Sequence, residues 1–507
     1  MRWVKGNRRS SFQSNGRTPG ILDRLNTTLG TSYTLDTPSL SSLLEEYTTN
    51  NYDFGMAYGC LRLNFVNGRR RTERSDEKHS SGAGSSIHGY HPDASGICTV
   101  IGWSLWWITD VDGKLRWPQP ISHAWVDEKD RADIWTPING YEWPVPIPKD
   151  SDLNLIRIEM LNLGLEYVWL DVLCLRQVGG PGEDMRAEEW KLDVPTIGLV
   201  YCGTETVVCY LSGLGRPFSL KEGDLDSDRC WFRRAWTLQE VGNEMVIAGD
   251  TSDRPLHAKP IDEDGKYETE LLTRFHAEQL ECTEDIRMWV LPALRNMQKR
   301  VSTNPVDKVA GLAFVMDSDW IPAYYESQSL EEAWTALVNS MDVWCRGRLF
   351  SLYPEPGNAG RKWRPSWDQV MMEPLPAYHT ESAIFLYRNE EKDEDLCYPK
   401  CIKKGLVRGL AVVEGDDLRG ELIVKDKGGI EHGFEVTVPH AYPIPDGTYT
   451  LIDSLDGYQC NVRHSWVVGQ SLPGRKFEKV SVLNTSKKEH RRLEDLFIIK
   501  RHHYILI

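Results

Sequence analysis

The feature that most constrains this chain is an alternation of short apolar runs with segments of helical spacing, beginning at Pro118 and lasting about 130 residues. "QPISHAWV" supplies a first strand. "LNLIRIEMLNLG" (Leu153–Gly164) repeats apolar residues at helical spacing and stops on a glycine. "EYVWLDVLCL" (Glu166–Leu175) is apolar on both faces, as a central parallel strand is. "AEEWKLDVPTIGLVYCG" (Ala187–Gly203) reads as a helix with a proline interruption. "ETVVCYLSG" (Glu205–Gly213) and "EMVIAGD" (Glu244–Asp250) supply the third and fourth strands. Strands alternating with helices predict an open parallel α/β sheet, and ligands in such sheets bind at the carboxyl ends of the strands.

Between the third and fourth strands lies "DRCWFRRAWTLQEV" (Asp228–Val241), whose spacing predicts a short helix capped by Asp228. Trp231, Ala235 and Leu238 would share the stripe facing the sheet. Arg233, Trp236 and Glu240 would share the opposite stripe, putting a cation, a large aromatic and a carboxylate on one face. The base near the start and the acid near the end oppose the helix dipole, an arrangement that asks for a ligand or a partner to explain it.

Outside this region the chain divides by composition. Residues 1–110 form an N-terminal region with a polar, Gly/Ser-rich loop near 68–89, expected to be disordered, and a short buried strand at "VIGWSLWWI" (Val100–Ile108). The α/β domain is expected over 118–315, and a helical and loop extension over 316–400. Residues 401–507 form a β-rich module, where short apolar runs alternate with glycine turns. A length of 507 residues fits two or three domains.

The net charge of −15 excludes a nucleic-acid binder of the usual basic kind, and "GRRRTER" (Gly68–Arg74) reads as a solvated loop. Eleven cysteines, odd in number and scattered, suit a reducing cytoplasm better than a disulfide framework. Cys397 and Cys401 have no second pair at zinc spacing and read as thiols, so no metal site is expected. The N-terminus has no apolar core of a secretory signal, and no apolar run reaches the roughly 20 residues of a membrane span.

"VGGPGED" matches neither a P-loop nor a dinucleotide fingerprint and reads as a surface turn. A lone histidine such as His464 reads as structural. Three stretches carry more. "ISHAW" (Ile121–Trp125) sets Ser122, His123 and Trp125 where the first strand runs into its loop. "YVWLDVLCLRQ" (Tyr167–Gln177) plants Asp171 inside an apolar strand, where a carboxylate must be paired or hydrogen-bonded. The third is the predicted helix with Arg233, Trp236 and Glu240.

Together, "ISHAW", "YVWLDVLCLRQ" and "RRAWTLQE" resemble, in order and spacing, the three blocks of the fungal heterokaryon incompatibility (HET) domain. "NPVDKVAGLAFV" (Asn304–Val315) and "WRPSWD" (Trp363–Asp368) look like segments that follow that core. Ala124, and Arg176 in "CLRQ", depart from the usual pattern. The resemblance implies a flavodoxin/TIR-like parallel sheet flanked by helices, and an intracellular role in allorecognition or defence-type cell death. TIR domains that cleave NAD use a glutamate in a W-C-x-x-E-like pattern, and "AWTLQE" matches it with Thr237 in place of the cysteine. Glu240 is thereby expected to be catalytic. Ser122, His123, Trp125, Asp171, Arg233 and Trp236 are expected to line the ligand site, with NAD as substrate rather than bound cofactor. The alternative is a non-catalytic assembly module with a protein partner or a second copy of itself.

Overall fold

The computed structural model describes residues 22–23, 26, 32–36, 40–49, 108–109, 115–116 and, from 118 onward, all except 166–167, 203, 205, 242–243, 251–254, 284–288, 377–383, 412–417, 439 and 455–462. The loop near 68–89 lies outside these residues, as does nearly all of the strand expected at Val100–Ile108. The chain forms two compact units. One comprises Met1–Trp231 and Glu240–Thr283; the other comprises Phe232–Gln239 and Glu284–Ile507.

The first unit is built on four parallel strands: β1 (Gln119–His123), β2 (Val168–Leu170), β3 (Thr206–Tyr210) and β4 (Glu244–Ile247). Their order across the sheet is β2-β1-β3-β4, with Ile121 in register with both Leu170 and Val208. The alternation predicted a parallel sheet because parallel neighbours need long crossovers, and helices fill them. Helix α1 (Leu153–Asn162) precedes β2. Its first turn is capped by Asp152, whose carboxylate accepts the Asn154 N–H at 2.7 Å, and the chain leaves it through Gly164 at φ 77°. Ile156 and Met160 on α1 pack with Ile121, Leu170, Val208 and Tyr210. After β2 come α2 (Asp171–Cys174), α3 (Arg186–Asp193) and α4 (Ile197–Cys202), the last two joined across Pro195 as the sequence suggested.

Two local expectations change. The strand expected over Glu166–Leu175 ends at Leu170, and Asp171 opens a helical turn instead of lying in a strand. An Asp that accepts the next residue's N–H, as its Oδ1 does from Val172 at 2.7 Å, favours a turn over continued extension. The proline-rich "VPIP" (Val145–Pro148) is a strand, paired antiparallel with Arg131–Ile134, and it buries Val145 and Ile147 completely.

The single helix expected over Asp228–Val241 is absent. Two 3₁₀ turns, Trp231–Arg233 and Trp236–Leu238, stand in its place. Val301 takes the intervening backbone groups: its N–H donates to the Arg233 carbonyl (2.6 Å) and its carbonyl accepts from the Ala235 N–H (2.9 Å). A helix needs those same groups for its own ladder. The inverted charges therefore face no helix dipole. Trp231, Ala235 and Leu238, expected to share the inward stripe, are all buried, though no helix carries them.

The second unit carries helices α5 (Val290–Gln298), α6 (Val306–Ala310), α7 (Leu330–Ser340), α8 (Val343–Leu352) and α9 (Trp367–Met372). A large, mainly antiparallel sheet follows. Its strands are β5 (Tyr387–Asn389), β6 (Glu394–Cys397), β7 (Lys400–Arg408), β8 (Leu418–Lys425), β9 (Glu431–Val438), β10 (Gly447–Asp453), β11 (Arg463–Leu472), β12 (Lys476–Ser486), β13 (Lys500–Arg501) and β14 (Tyr504–Leu506). A run ordered β9-β8-β7-β10-β11-β12 is closed by pairing of β9 with β12. Closure removes the exposed edges that an open sheet of this size would carry. Leu422, Phe434, Leu451, Trp466 and Leu483 form its apolar core. Helix α10 (Lys487–Asp495) follows β12. The fold is thus α/β with a four-stranded parallel sheet and a β-rich C-terminal region. Among the described residues no helix is long and apolar enough to cross a membrane.

Candidate functional site

The carboxyl end of β1 is where the chemistry of the first unit gathers. The chain leaves β1 for β2 on one side and returns to β3 on the other, so the end of β1 lies where the strand order reverses, the place at which sheets of this kind bind ligands. Ser122 and His123 are the last two residues of the strand. Both are buried, Ser122 at 1 % exposure and His123 at 6 %.

Ser122 sits in a directed chain of hydrogen bonds. The Trp231 indole Nε1 donates to Ser122 Oγ at 2.7 Å, and Ser122 Oγ donates to Glu240 Oε2 at 2.6 Å. An indole N–H can only donate, so the serine accepts there and sends its single proton to the carboxylate. That polarity stabilises Glu240 in its ionised form. The buried Tyr201 hydroxyl donates to the Ile121 carbonyl at 3.2 Å. Burial first, then the negative charges of Glu240 and Asp171, raise this phenol well above its ordinary range. Tyr201 is therefore neutral and a donor throughout the physiological range.

His123 faces two acceptors. Its Nε2 is 2.9 Å from Asp171 Oδ1 and its Nδ1 is 3.3 Å from the Ala124 carbonyl. Only the doubly protonated ring donates to both. Burial alone would lower the pKa, but Asp171, then Glu240 and the Ala124 carbonyl outweigh it, and the ring is held above its ordinary value. Asp171, at the first position of α2, is fixed in turn by the Val172 N–H. Asp171 thus positions the buried His123 ring and favours its protonated form. Trp125 packs against it at 5.4 Å between ring centroids, with the Arg131 guanidinium 5.3 Å from the Trp125 ring.

Of the residues singled out in the sequence, Ser122, His123, Asp171 and Glu240 come together at this strand end, with Trp125 beside His123. Arg233 and Trp236 belong to the second unit and are half-buried. Trp236 lies 6.2 Å from the Tyr324 ring, edge to face, and hydrogen-bonds the Asp307 carboxylate. Burial raises the Asp307 pKa, and hydrogen bonds from Tyr324, Asn304 and Trp236 pull it part of the way back. The stripe that was to join Arg233, Trp236 and Glu240 does not form, because no helix carries them.

Two partners were not singled out. Trp231 was assigned only to the core, yet its indole orients Ser122. Tyr201 was one apolar-looking residue of a helix. The signal for both was the requirement that a buried Trp or Tyr find a partner for its polar atom. Arg176, the departure in "CLRQ", is buried. Its Nε donates to Glu189 at 2.9 Å and its Nη1 to the Pro181 carbonyl at 3.0 Å, so it ties "VGGPGED" to α3. Cys397 and Cys401 are buried thiols, and burial raises the pKa of both.

Comparison with family models, with curated proteins and with solved structures returns no match for this chain.

Proposed function

We propose that this chain is an intracellular effector of the HET type, acting in fungal allorecognition or defence-type cell death, whose parallel-sheet unit cleaves NAD. The observation that carries the reading is the Ser122–Glu240 hydrogen bond at the carboxyl end of β1. The strand order β2-β1-β3-β4 supports it, because it matches the first four positions of the flavodoxin-like order 2-1-3-4-5, in which ligands bind beside the first strand.

In the proposed reaction the bond between nicotinamide and ribose C1′ breaks. Its electron pair goes to the nicotinamide nitrogen, and the ribose is left with cationic character. A fixed carboxylate next to that carbon stabilises the charge until water adds and releases a proton. Glu240 supplies the carboxylate, Ser122 and Trp231 aim it, and the His123–Asp171 pair holds the strand end in place. NAD is the substrate and no bound cofactor is required.

The test is nicotinamide release by the purified full-length chain, assayed both dilute and as a concentrated or crosslinked oligomer. Glu240→Gln is expected to lower the rate by about 100-fold or more. Equal rates for the two proteins would sink the catalytic reading.

One observation favours the assembly reading. Leu155, Ile158 and Leu161 are each more than half exposed and recur every third residue along α1. A second copy of the chain is the occupant such a stripe suits. Ile158→Asp is then expected to shift the protein to a smaller species in sedimentation. An unchanged sedimentation profile would remove this reading.

A further inference from the structure

Asp453, His464 and His490 lie far apart in sequence and converge in the β-rich region of the second unit. Asp453 ends β10, His464 is the second residue of β11, and His490 lies on α10. All three are buried, and one ligand atom from each falls within 4.8 Å of the other two. His464 Nε2 contacts Asp453 Oδ1. The His464 and His490 rings stack with centroids 3.5 Å apart and 22° between planes. Glu494 Oε1, one helical turn beyond His490, is 3.7 Å from its Nε2.

A hydrogen-bonded His–Asp pair accounts for one imidazole. The second imidazole, buried and stacked on the first, brings a further ligand atom to the same point. A shared cation accounts for both. We propose that Asp453, His464 and His490 form a divalent-metal site, with zinc the ion this ligand set fits best. Two imidazoles and a carboxylate are borderline donors suited to zinc.

The ligand atoms converge closely enough, and the stacked rings swing apart for both to face one ion. Arms of about 2.0–2.1 Å in a tetrahedron separate ligand atoms by about 3.4 Å, so atoms already within 4.8 Å need only side-chain adjustment. The ion replaces the proton held between His464 and Asp453.

The site also answers a packing question. Helix α10 is nine residues long, and within it only His490 and Leu493 are buried. A helix this short does not hold itself together, and one leucine is a thin anchor. An ion joining α10 to the ends of β10 and β11 fastens it to the closed sheet.

The test uses the tag-free full-length chain stripped with chelator. Cobalt(II) is the probe, followed by displacement with zinc, with elemental analysis for stoichiometry. One equivalent of cobalt is expected to bind with the intense visible absorption of a tetrahedral site, and one equivalent of zinc to displace it and raise the melting temperature. His490→Gln is expected to weaken binding by at least 100-fold. Equal binding by wild type and a folded His490→Gln chain would overturn the proposal. X-ray absorption on the zinc-loaded wild type needs no variant. Two imidazoles with oxygen neighbours are expected, and sulfur or fully hydrated zinc would refute the assignment.

Discussion

Replacing Lys479 by methionine removes an ionisable group from the interior of the second unit. Lys479 lies on β12 at 1 % exposure. Its Nζ donates to the Tyr353 carbonyl at 2.6 Å and sits 5.7 Å from the centre of the Phe350 ring. Burial disfavours the ammonium and lowers its pKa from 10.5 to about 7. In the unfolded chain the ordinary value returns. Between those two values the unfolded state binds more protons than the folded one, so stability rises with pH across that window. Below about pH 7 both states are protonated and the full cost, about 5 kcal/mol, is present. Between about pH 6 and about pH 9 the recovered part is about 3 kcal/mol. Methionine has no such dependence, and it gives up one hydrogen bond worth about 1 kcal/mol. The variant is therefore expected to be more stable than wild type by about 3–4 kcal/mol at pH 6 and by about 1 kcal/mol at pH 9. Urea unfolding of both proteins at the two pH values, followed by circular dichroism, measures the difference. Because other titrating groups are common to both chains, they cancel. A stability difference that does not change with pH would refute the claim that burial lowers the Lys479 pKa.

Two further consequences concern the first unit. His123 has a raised pKa in the folded chain, so its contribution is fully present below its unfolded value near 6.5 and is lost as pH rises through the folded value. Asp171→Asn is expected to flatten that loss in stability–pH profiles, and an unchanged profile would show that Asp171 does not hold the imidazolium. Arg176→Ala strands Glu189 inside the protein and is expected to cost about 3–5 kcal/mol, whereas the double change Arg176→Met with Glu189→Leu is expected to recover most of it. Denaturant midpoints of wild type and the two variants decide this, and a double variant no more stable than Arg176→Ala would count against a buried pair.

The parallel sheet was legible because its cause is local: each strand is a short apolar run, and the stretches before the second and third strands carry helical periods, one of them stopped at Gly164. What escaped was set by distant partners. Asp228–Val241 has a helical pattern of burial, yet Val301 claims the backbone groups of Arg233 and Ala235 from across the sequence. Lys479 follows Glu478 in β12 and its charge reads as solvent-facing, and only the packing of Phe350 and Tyr353 over it reveals that its face is closed. His464 looked solitary because Asp453 and His490 reach it from other elements. Ser122 and Glu240 are 118 residues apart, and nothing in their spacing states that they bond.

That last pair changes what the catalytic reading rests on. The sequence pattern ties Glu240 to Trp236 through a shared helix face, and the helix is missing. Trp236 spends its indole on Asp307 and Tyr324 in the second unit, while the carboxylate four residues later is fixed by a serine at the end of β1. The position of Glu240 is therefore dictated by the parallel sheet, through Ser122 and Trp231, and not by the geometry of the segment it belongs to. A rigid strand end aims a catalytic group more sharply than a pair of 3₁₀ turns can. It follows that Ser122→Ala should damage nicotinamide release far more than Trp236→Phe. The reverse order would place the working geometry in the 3₁₀ segment and would count against Ser122 as the group that positions Glu240.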